Sequence, residues 1–234
     1  ELMLSDMESL ERRISLAEKK AKGGDKEAIA QVALMQIALA PLRDGKPARA
    51  AAVPDEDRAA FRALQLLTAK PVVYVCNVDE ASAASGNSYS AAVAERAKAE
   101  GAAVVVISAK IESELAGLAD DEQQAFLAEM GLEEAGLNRL IRAGYALLDL
   151  VTFFTVGPKE ARAWTVERGT KAPQGAGVIH TDFEKGFIRA ETIAYADYVA
   201  YKGEAGCRDA GKMRLEGKDY VVQDGDVMHF RFAN

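Results

Sequence analysis

The chain has 234 residues, 49% hydrophobic and 28% charged, with 29 Lys and Arg against 36 Asp and Glu and a net charge of −7. That composition suits a globular chain with a real core and excludes wholesale disorder, a collagen-like repeat and a disulfide scaffold; the two cysteines, Cys76 and Cys207, fit a reducing cytoplasm. No apolar run approaches the roughly 18 residues that span a bilayer and no secretory signal is visible, so a membrane role is not expected, and an acidic chain is a poor electrostatic partner for free nucleic acid.

Residues 1–150 carry 17 positive and 24 negative side chains, and residues 151–234 carry 12 of each, so only the last part leaves room for a basic patch. The chain opens on Glu1 and enters a helical pattern at once, which leads us to expect a piece of something longer. Met3, Met7, Leu10, Ile14, Ala17 and Ala21 form a heptad seam, as in a coiled coil. Gly23 and Gly24 stop that helix, and Asp25 is a natural N-cap for the next. Ala28, Val32, Met35, Leu39 and Leu42 repeat the spacing, so an antiparallel helical hairpin is predicted. Residues 43–53 read as a loop. Pro54 then starts a third helix, with Phe61, Leu64 and Leu67 on its buried face, ending before Pro71.

At residue 72 the period changes. Residues 72–76 form a short β-branched run, as do residues 104–107, and both read as buried parallel strands. A helix over 88–100, closed by Gly101, joins them into one βαβ unit. Helices are predicted over 111–117, 121–130 and 134–148. The last part reads as a small α+β domain. It has a hairpin of 150–156 with 161–167, strands near 187–194, 219–223 and 227–232, a turn at Gly225 between the last two, and short helices near 174–180 and 196–201.

In open α/β sheets, ligands bind beyond the carboxyl ends of the strands. Two loops leave such ends here: Asn77-Val78-Asp79-Glu80, and Ser108-Ala109-Lys110. An Asn amide can brace one loop, and small residues in the other let backbone N–H groups approach a nucleobase. Taken alone, two ordinary strand-end loops would be the safer reading.

Asn-x-x-Glu followed by Ser-Ala-Lys resembles the fourth and fifth guanine-nucleotide motifs of P-loop GTPases, with Val78 and Glu80 in place of the usual Lys and Asp. That departure is similar to the YchF subfamily of Obg-related proteins, the Obg-like ATPases. Residues 22–25, 136–145, 162–165, 171–174 and 179–190 also fit its pattern, and agreement is weaker over 43–56 and 81–100. The resemblance implies a mixed architecture, α/β plus α+β. Residues 1–69 would be a helical hairpin inserted into the nucleotide-binding domain, with the helix that follows it. Residues 70–149 would be the C-terminal part of the P-loop nucleotide-binding domain, and residues 150–234 a ubiquitin-like β-grasp TGS domain. It implies a ribosome-associated protein acting in translation or stress response, cytoplasmic, that in full-length form binds and hydrolyses ATP, often in preference to GTP. Asn77, Val78, Glu80, Ser108, Ala109 and Lys110 would surround the base. Glu80 would point away from adenine, whose N1 repels a carboxylate, leaving Asn77 and the Val78 backbone to contact it.

The G-x-x-x-x-G-K-[ST] phosphate loop is not found in this sequence, nor is the acid that would hold Mg²⁺. The resemblance places both before the hairpin. The chain is therefore expected to be inactive alone, with Mg²⁺ expected only beside those preceding motifs. The two strands would expose a pairing edge, and a dimer through residues 72–76 is one way to cover it. The alternative is a non-catalytic module docking on ribosome, RNA or protein through hairpin and TGS domain. Its candidate contacts are Lys19, Lys20 and Lys22 at the hairpin tip. Arg189, Lys202, Arg208, Lys212, Arg214 and Lys218 offer a weaker basic face, for which an ordinary solvated surface is the preferred reading. His180 and His229 lack metal-ligand spacing, so no metal site is expected. Cys76 reads as apolar filler, Trp164 as core, and Cys207 as lying in an exposed polar loop.

Overall fold

The computed structural model describes residues 1–233, which divide into two compact units, 1–72 and 73–233. In the first, α1 (Leu2–Ala21) and α2 (Lys26–Arg43) pack side by side, with the chain reversing over residues 22–25. Gly24 supplies the reversal at φ +84°, a backbone region favourable to glycine. The Asp25 carboxylate then accepts from the Glu27 and Ala28 N–H groups at 3.0 and 3.1 Å, as its N-cap assignment predicts. Glu11, on the first helix, meets Arg43, at the end of the second, at 3.0 Å.

The buried face of α2 is broader than a two-position seam. Leu34 and Ala38 are buried beside Met35, Leu39 and Leu42, because α3 (Arg58–Ala63) and the segment after it cover a second side. Burying a leucine such as Leu10 or Leu39 contributes about 1.5–3 kcal/mol. The third helix is shorter than its pattern predicts. It breaks at Gln65, whose φ is +56°, and the chain resumes as a 3₁₀ turn over Leu67–Ala69. The break turns Leu66 inward to 3% exposure and Leu67 outward to 45%, so Leu67 is not the core residue its spacing suggests. What holds the break is Asp6, a buried residue of α1. Its carboxylate accepts from the backbone N–H of Leu67 (2.8 Å), the N–H of Thr68 (2.7 Å) and the Thr68 hydroxyl (2.7 Å). The same hydroxyl oxygen accepts from Ala48 N–H at 2.9 Å.

In the second unit, β1 (Val73–Asn77) and β2 (Ala103–Ile107) pair in parallel, with Asn77 opposite Ile107. Their crossover is α4 (Ser88–Glu100), ended by Gly101 at φ +65°, as predicted, and capped by Asn87. The remaining helices of this part are α5 (Ala109–Leu115), α6 (Asp120–Glu129) and α7 (Gly136–Leu147). Helix α7 starts hard against β2: a Cβ on Gly136 would lie 2.8 Å from Ile107 Cγ2, so only glycine fits there unless something shifts. The first strand is not wholly buried. Val75 is 43% exposed and Cys76 half-buried, so Cys76 is not the enclosed filler the sequence suggests.

The rest is a five-stranded sheet formed by β3 (Leu150–Val156), β4 (Ala161–Glu167), β5 (Phe187–Ala194), β6 (Arg214–Glu216) and β7 (Asp226–Phe232), in the order β4-β3-β7-β5-β6. One face packs on α8 (Ala172–Ile179) around Phe153, Ala176, Met228 and Phe230, with Trp164 half-buried at its margin and Phe153 edge-on to Phe230 at 5.8 Å. The short helices α9 (Thr181–Lys185), α10 (Tyr195–Ala200) and α11 (Glu204–Asp209) fill the connections. Residues 219–223 are not a strand beyond a single bridge, Val221 to Lys171. Their backbone groups instead bond to the loop before α8, through Ala172 N–H to Tyr220 C=O and Val222 N–H to Thr170 C=O. The edge strand is Arg214–Glu216, so Gly225 joins no hairpin of the last two strands. Cys207 lies in α11, fully buried with Ile193 and Val227, and burial pushes its thiol pKa up. It is not the exposed loop cysteine expected.

Candidate functional site

Because β1 and β2 are parallel and in register, the loops that leave them emerge side by side. The ladder runs one step past Asn77, with Val78 N–H donating to Ile107 C=O at 2.8 Å. The Asn77 Oδ1 accepts from Ala109 N–H at 2.9 Å and so ties the first loop to the second. These contacts bring Asn77, Val78, Ser108 and Ala109 together and correct one expectation. The Val78 and Ala109 N–H groups are both already bonded within the protein.

Ser108 occupies the turn between β2 and α5 and is 3% exposed. Its Oγ is buried with no hydrogen-bond partner among the described residues. An orphaned hydroxyl of this kind calls for a partner, since a buried polar group without one costs about 1–3 kcal/mol. Beside Asn77 lies a cleft of about 390 Å³ between β1 and the start of α4, lined by Tyr74, Val75, Cys76, Val78, Asn87 and Tyr89. Its volume falls within the range of small-molecule sites. Sequence reading passed over Asn87 and Tyr89; the signal available was Asn-x-x-Ser at the start of a helix.

Glu80 turns into a 3₁₀ segment whose cap is the Asp79 carboxylate, accepting from Ser82 N–H at 2.9 Å. The Glu80 carboxylate pairs with the Lys110 ammonium. The hydrogen bond from Lys110 holds the Glu80 carboxyl below its ordinary range, and Glu80 in turn holds the Lys110 ammonium above its own. Two residues along α5, Glu112 faces the other way and accepts from the Gly136 and Leu137 N–H groups at 2.7 and 3.0 Å. It fixes the start of α7, and spacing alone did not single it out.

Lys19, Lys20 and Lys22 are exposed near the turn between α1 and α2. Of the weaker basic candidates, Arg189, Arg208, Lys212 and Arg214 are each paired with an acid, as an ordinary solvated surface would have them. His180 caps α9, its Nδ1 accepting from Asp182 N–H at 3.2 Å. Among the described residues no group of three or more His, Cys, Asp or Glu is placed to hold a metal ion, and no helix is long and apolar enough to cross a membrane.

Residues 150–233 match the family YchF-GTPase_C, described as "Protein of unknown function (DUF933)". The chain is 54% identical over 232 residues to the ribosome-binding ATPase YchF of Pasteurella multocida and 51% identical over 234 residues to that of Bacillus subtilis. Each alignment covers 99% of this chain and 64% of the relative, so the chain spans a little under two thirds of their length. Among solved structures, the Schizosaccharomyces pombe YchF GTPase superposes with a TM-score of 0.85 at 32% identity, over 98% of this chain and 63% of the other. A GTP-binding protein from Pyrococcus horikoshii, 18% identical with a TM-score of 0.51 over 88% of this chain and 60% of the other, shares the fold alone.

Proposed function

Since this chain belongs to the YchF subfamily of Obg-related P-loop GTPases, we propose that it carries the base-recognition half of a ribosome-associated, cytoplasmic nucleotide hydrolase that acts on ATP and also on GTP. One observation carries the reading: the Asn77–Ala109 bond clamps two strand-end loops together, and the residue before Ala109, Ser108, has a buried, partnerless Oγ. These residues fit a purine. The Val78 carbonyl can accept from adenine N6–H, while the Asn77 NH₂ and the Ser108 hydroxyl can donate to ring nitrogens. The residues present do not fit Mg²⁺, and none is assigned to it. The triphosphate chemistry belongs to motifs that this sequence does not contain, so the chain by itself is expected not to turn ATP over.

The finer architecture is part of the same proposal. Residues 1–69 are read as a hairpin insertion and the helix after it, 70–149 as nucleotide-binding domain and 150–234 as a β-grasp TGS domain. The sheet supports the last assignment. Numbered within that domain its strand order is 2-1-5-3-4, with a helix after the second strand, the arrangement of ubiquitin-like folds. A second reading, docking on the ribosome without nucleotide, is favoured by the three lysines standing exposed at one turn.

The test is an NMR titration of the ¹⁵N-labelled chain with ATP, run beside ribosome co-sedimentation of the wild type and a Lys19→Glu, Lys20→Glu, Lys22→Glu variant. Shifts concentrated at Val78 and residues 108–110 are expected; a titration that leaves those amides unmoved refutes the base site. Pelleting that survives the charge reversal removes the lysines from ribosome contact.

A further inference from the structure

We propose that Lys110 sets the base preference of this site by taking the Glu80 carboxylate out of play, a role that rests on the base-site reading above. The two purines differ at the edge a protein reads. Guanine presents two donors, N1–H and N2–H, beside its O6 acceptor. Adenine presents the N1 lone pair beside its N6–H donors. An unpaired carboxylate at the end of the first loop would accept from both guanine donors and would repel adenine N1, since an ionised carboxylate is an acceptor only. Glu80 stands on that loop, three residues after Asn77. It is not unpaired: Lys110, on the second loop, reaches across to it. The ammonium occupies a carboxylate oxygen and cancels its charge, and both guanine-selective properties are lost together.

The geometry is specific to these two positions. Lys110 opens α5 next to Ala109, whose N–H is tied to Asn77, so the backbone that carries the lysine is anchored to the loop that carries the glutamate. Asp79, the neighbouring acid, cannot take over with its full set of lone pairs, because one oxygen caps the turn through Ser82 N–H. Base preference then comes from two residues acting as a pair. Lengthening Asp to Glu in the fourth motif supplies the reach, and Lys110 supplies the partner. The pair is largely exposed, with side chains 67% and 36% accessible, so its loss should leave the fold intact.

The experiment uses the full chain as it stands, with AMP and GMP as probes, because their identical phosphates cancel in the ratio of affinities. Binding is followed by amide shifts at Val78, Ala109 and residue 110 in wild type, Lys110→Met, Glu80→Gln and the double variant. In Lys110→Met the freed carboxylate should raise GMP affinity relative to AMP by about tenfold, the size of one charge-assisted hydrogen bond. In the double variant that gain should vanish, since no carboxylate is left to free. If wild type binds neither nucleotide at these amides, the base site itself fails and Lys110 has no such role. If both bind but Lys110→Met leaves the ratio unchanged, the base site stands and the role of Lys110 is overturned. A shift that persists in the double variant also overturns it, because the carboxylate responsible is then not that of Glu80.

Discussion

Replacing Asp6 with Ala tests the clasp that ends the first unit. The carboxylate accepts three hydrogen bonds, from Leu67 N–H, Thr68 N–H and the Thr68 hydroxyl. Alanine leaves two buried donors on Thr68 without partners, at a cost of roughly 1–3 kcal/mol each. The hydroxyl can rotate toward another acceptor and water can enter the space, so the net loss should be about 3 kcal/mol. Native-state hydrogen exchange is the assay, because it reads this unit separately from residues 73–234. Amides of Leu66 and Leu67, and of Leu39 in the core they cover, should exchange about a hundredfold faster in Asp6→Ala than in wild type. Protection that falls less than about fivefold would mean that water satisfies these donors equally well, and the clasp would then be incidental.

Two further outcomes are expected. Glu112→Ala removes the acceptor at the start of α7 and should cost about 1 kcal/mol, seen as faster exchange at Gly136 and Leu137; unchanged exchange at those amides would show that the cap is not needed. In the five-stranded sheet, Glu191 receives two hydrogen bonds from Arg231, at 3.2 and 3.0 Å, and these hold its carboxyl below the ordinary value of 4.5. A carboxyl depressed in the folded state stabilises fully above its unfolded value and loses that contribution as the pH falls through its folded one. Wild type should therefore exceed Glu191→Gln by about 1 kcal/mol at neutral pH in urea unfolding, and the gap should narrow as the pH falls below 4.5. A gap that does not narrow on acidification would rule the pair out as the cause.

Where the sequence was legible, a local signal coincided with the tertiary demand. Asp25 caps, Gly101 terminates, and the β-branched runs before Asn77 and Ser108 become adjacent parallel strands, so the two loops of the proposed base site could be expected side by side from spacing and motif order. The mixed α/β fold followed from the same motifs. What stayed hidden was decided over distance. Leu66 and Leu67 exchange places because Asp6, some sixty positions earlier, captures the backbone between them. Arg214–Glu216 carries one apolar residue and reads as loop, yet the edge of β5 pairs with it, while the more strand-like residues 219–223 spend their hydrogen bonds on the turn before α8. Cys207 sits among polar neighbours in sequence and among Ile193 and Val227 in space. At the site, Asn77 and Ser108 announced themselves through the motif. The pairing of Glu80 with Lys110, thirty residues apart, needed the register of the two strands.

The position of β7 between β3 and β5 has a consequence during synthesis. Its residues are translated after those of the other four strands, yet it contacts the first of them and divides the sheet down its middle. Until it is released, the nascent chain can hold only two separate edges, the β3–β4 hairpin and the β5–β6 pair, with Phe153 facing an empty place where Phe230 will stand. Closure of that domain is a late, all-or-none event, and truncation before Asp226 would remove its keystone rather than trim its border.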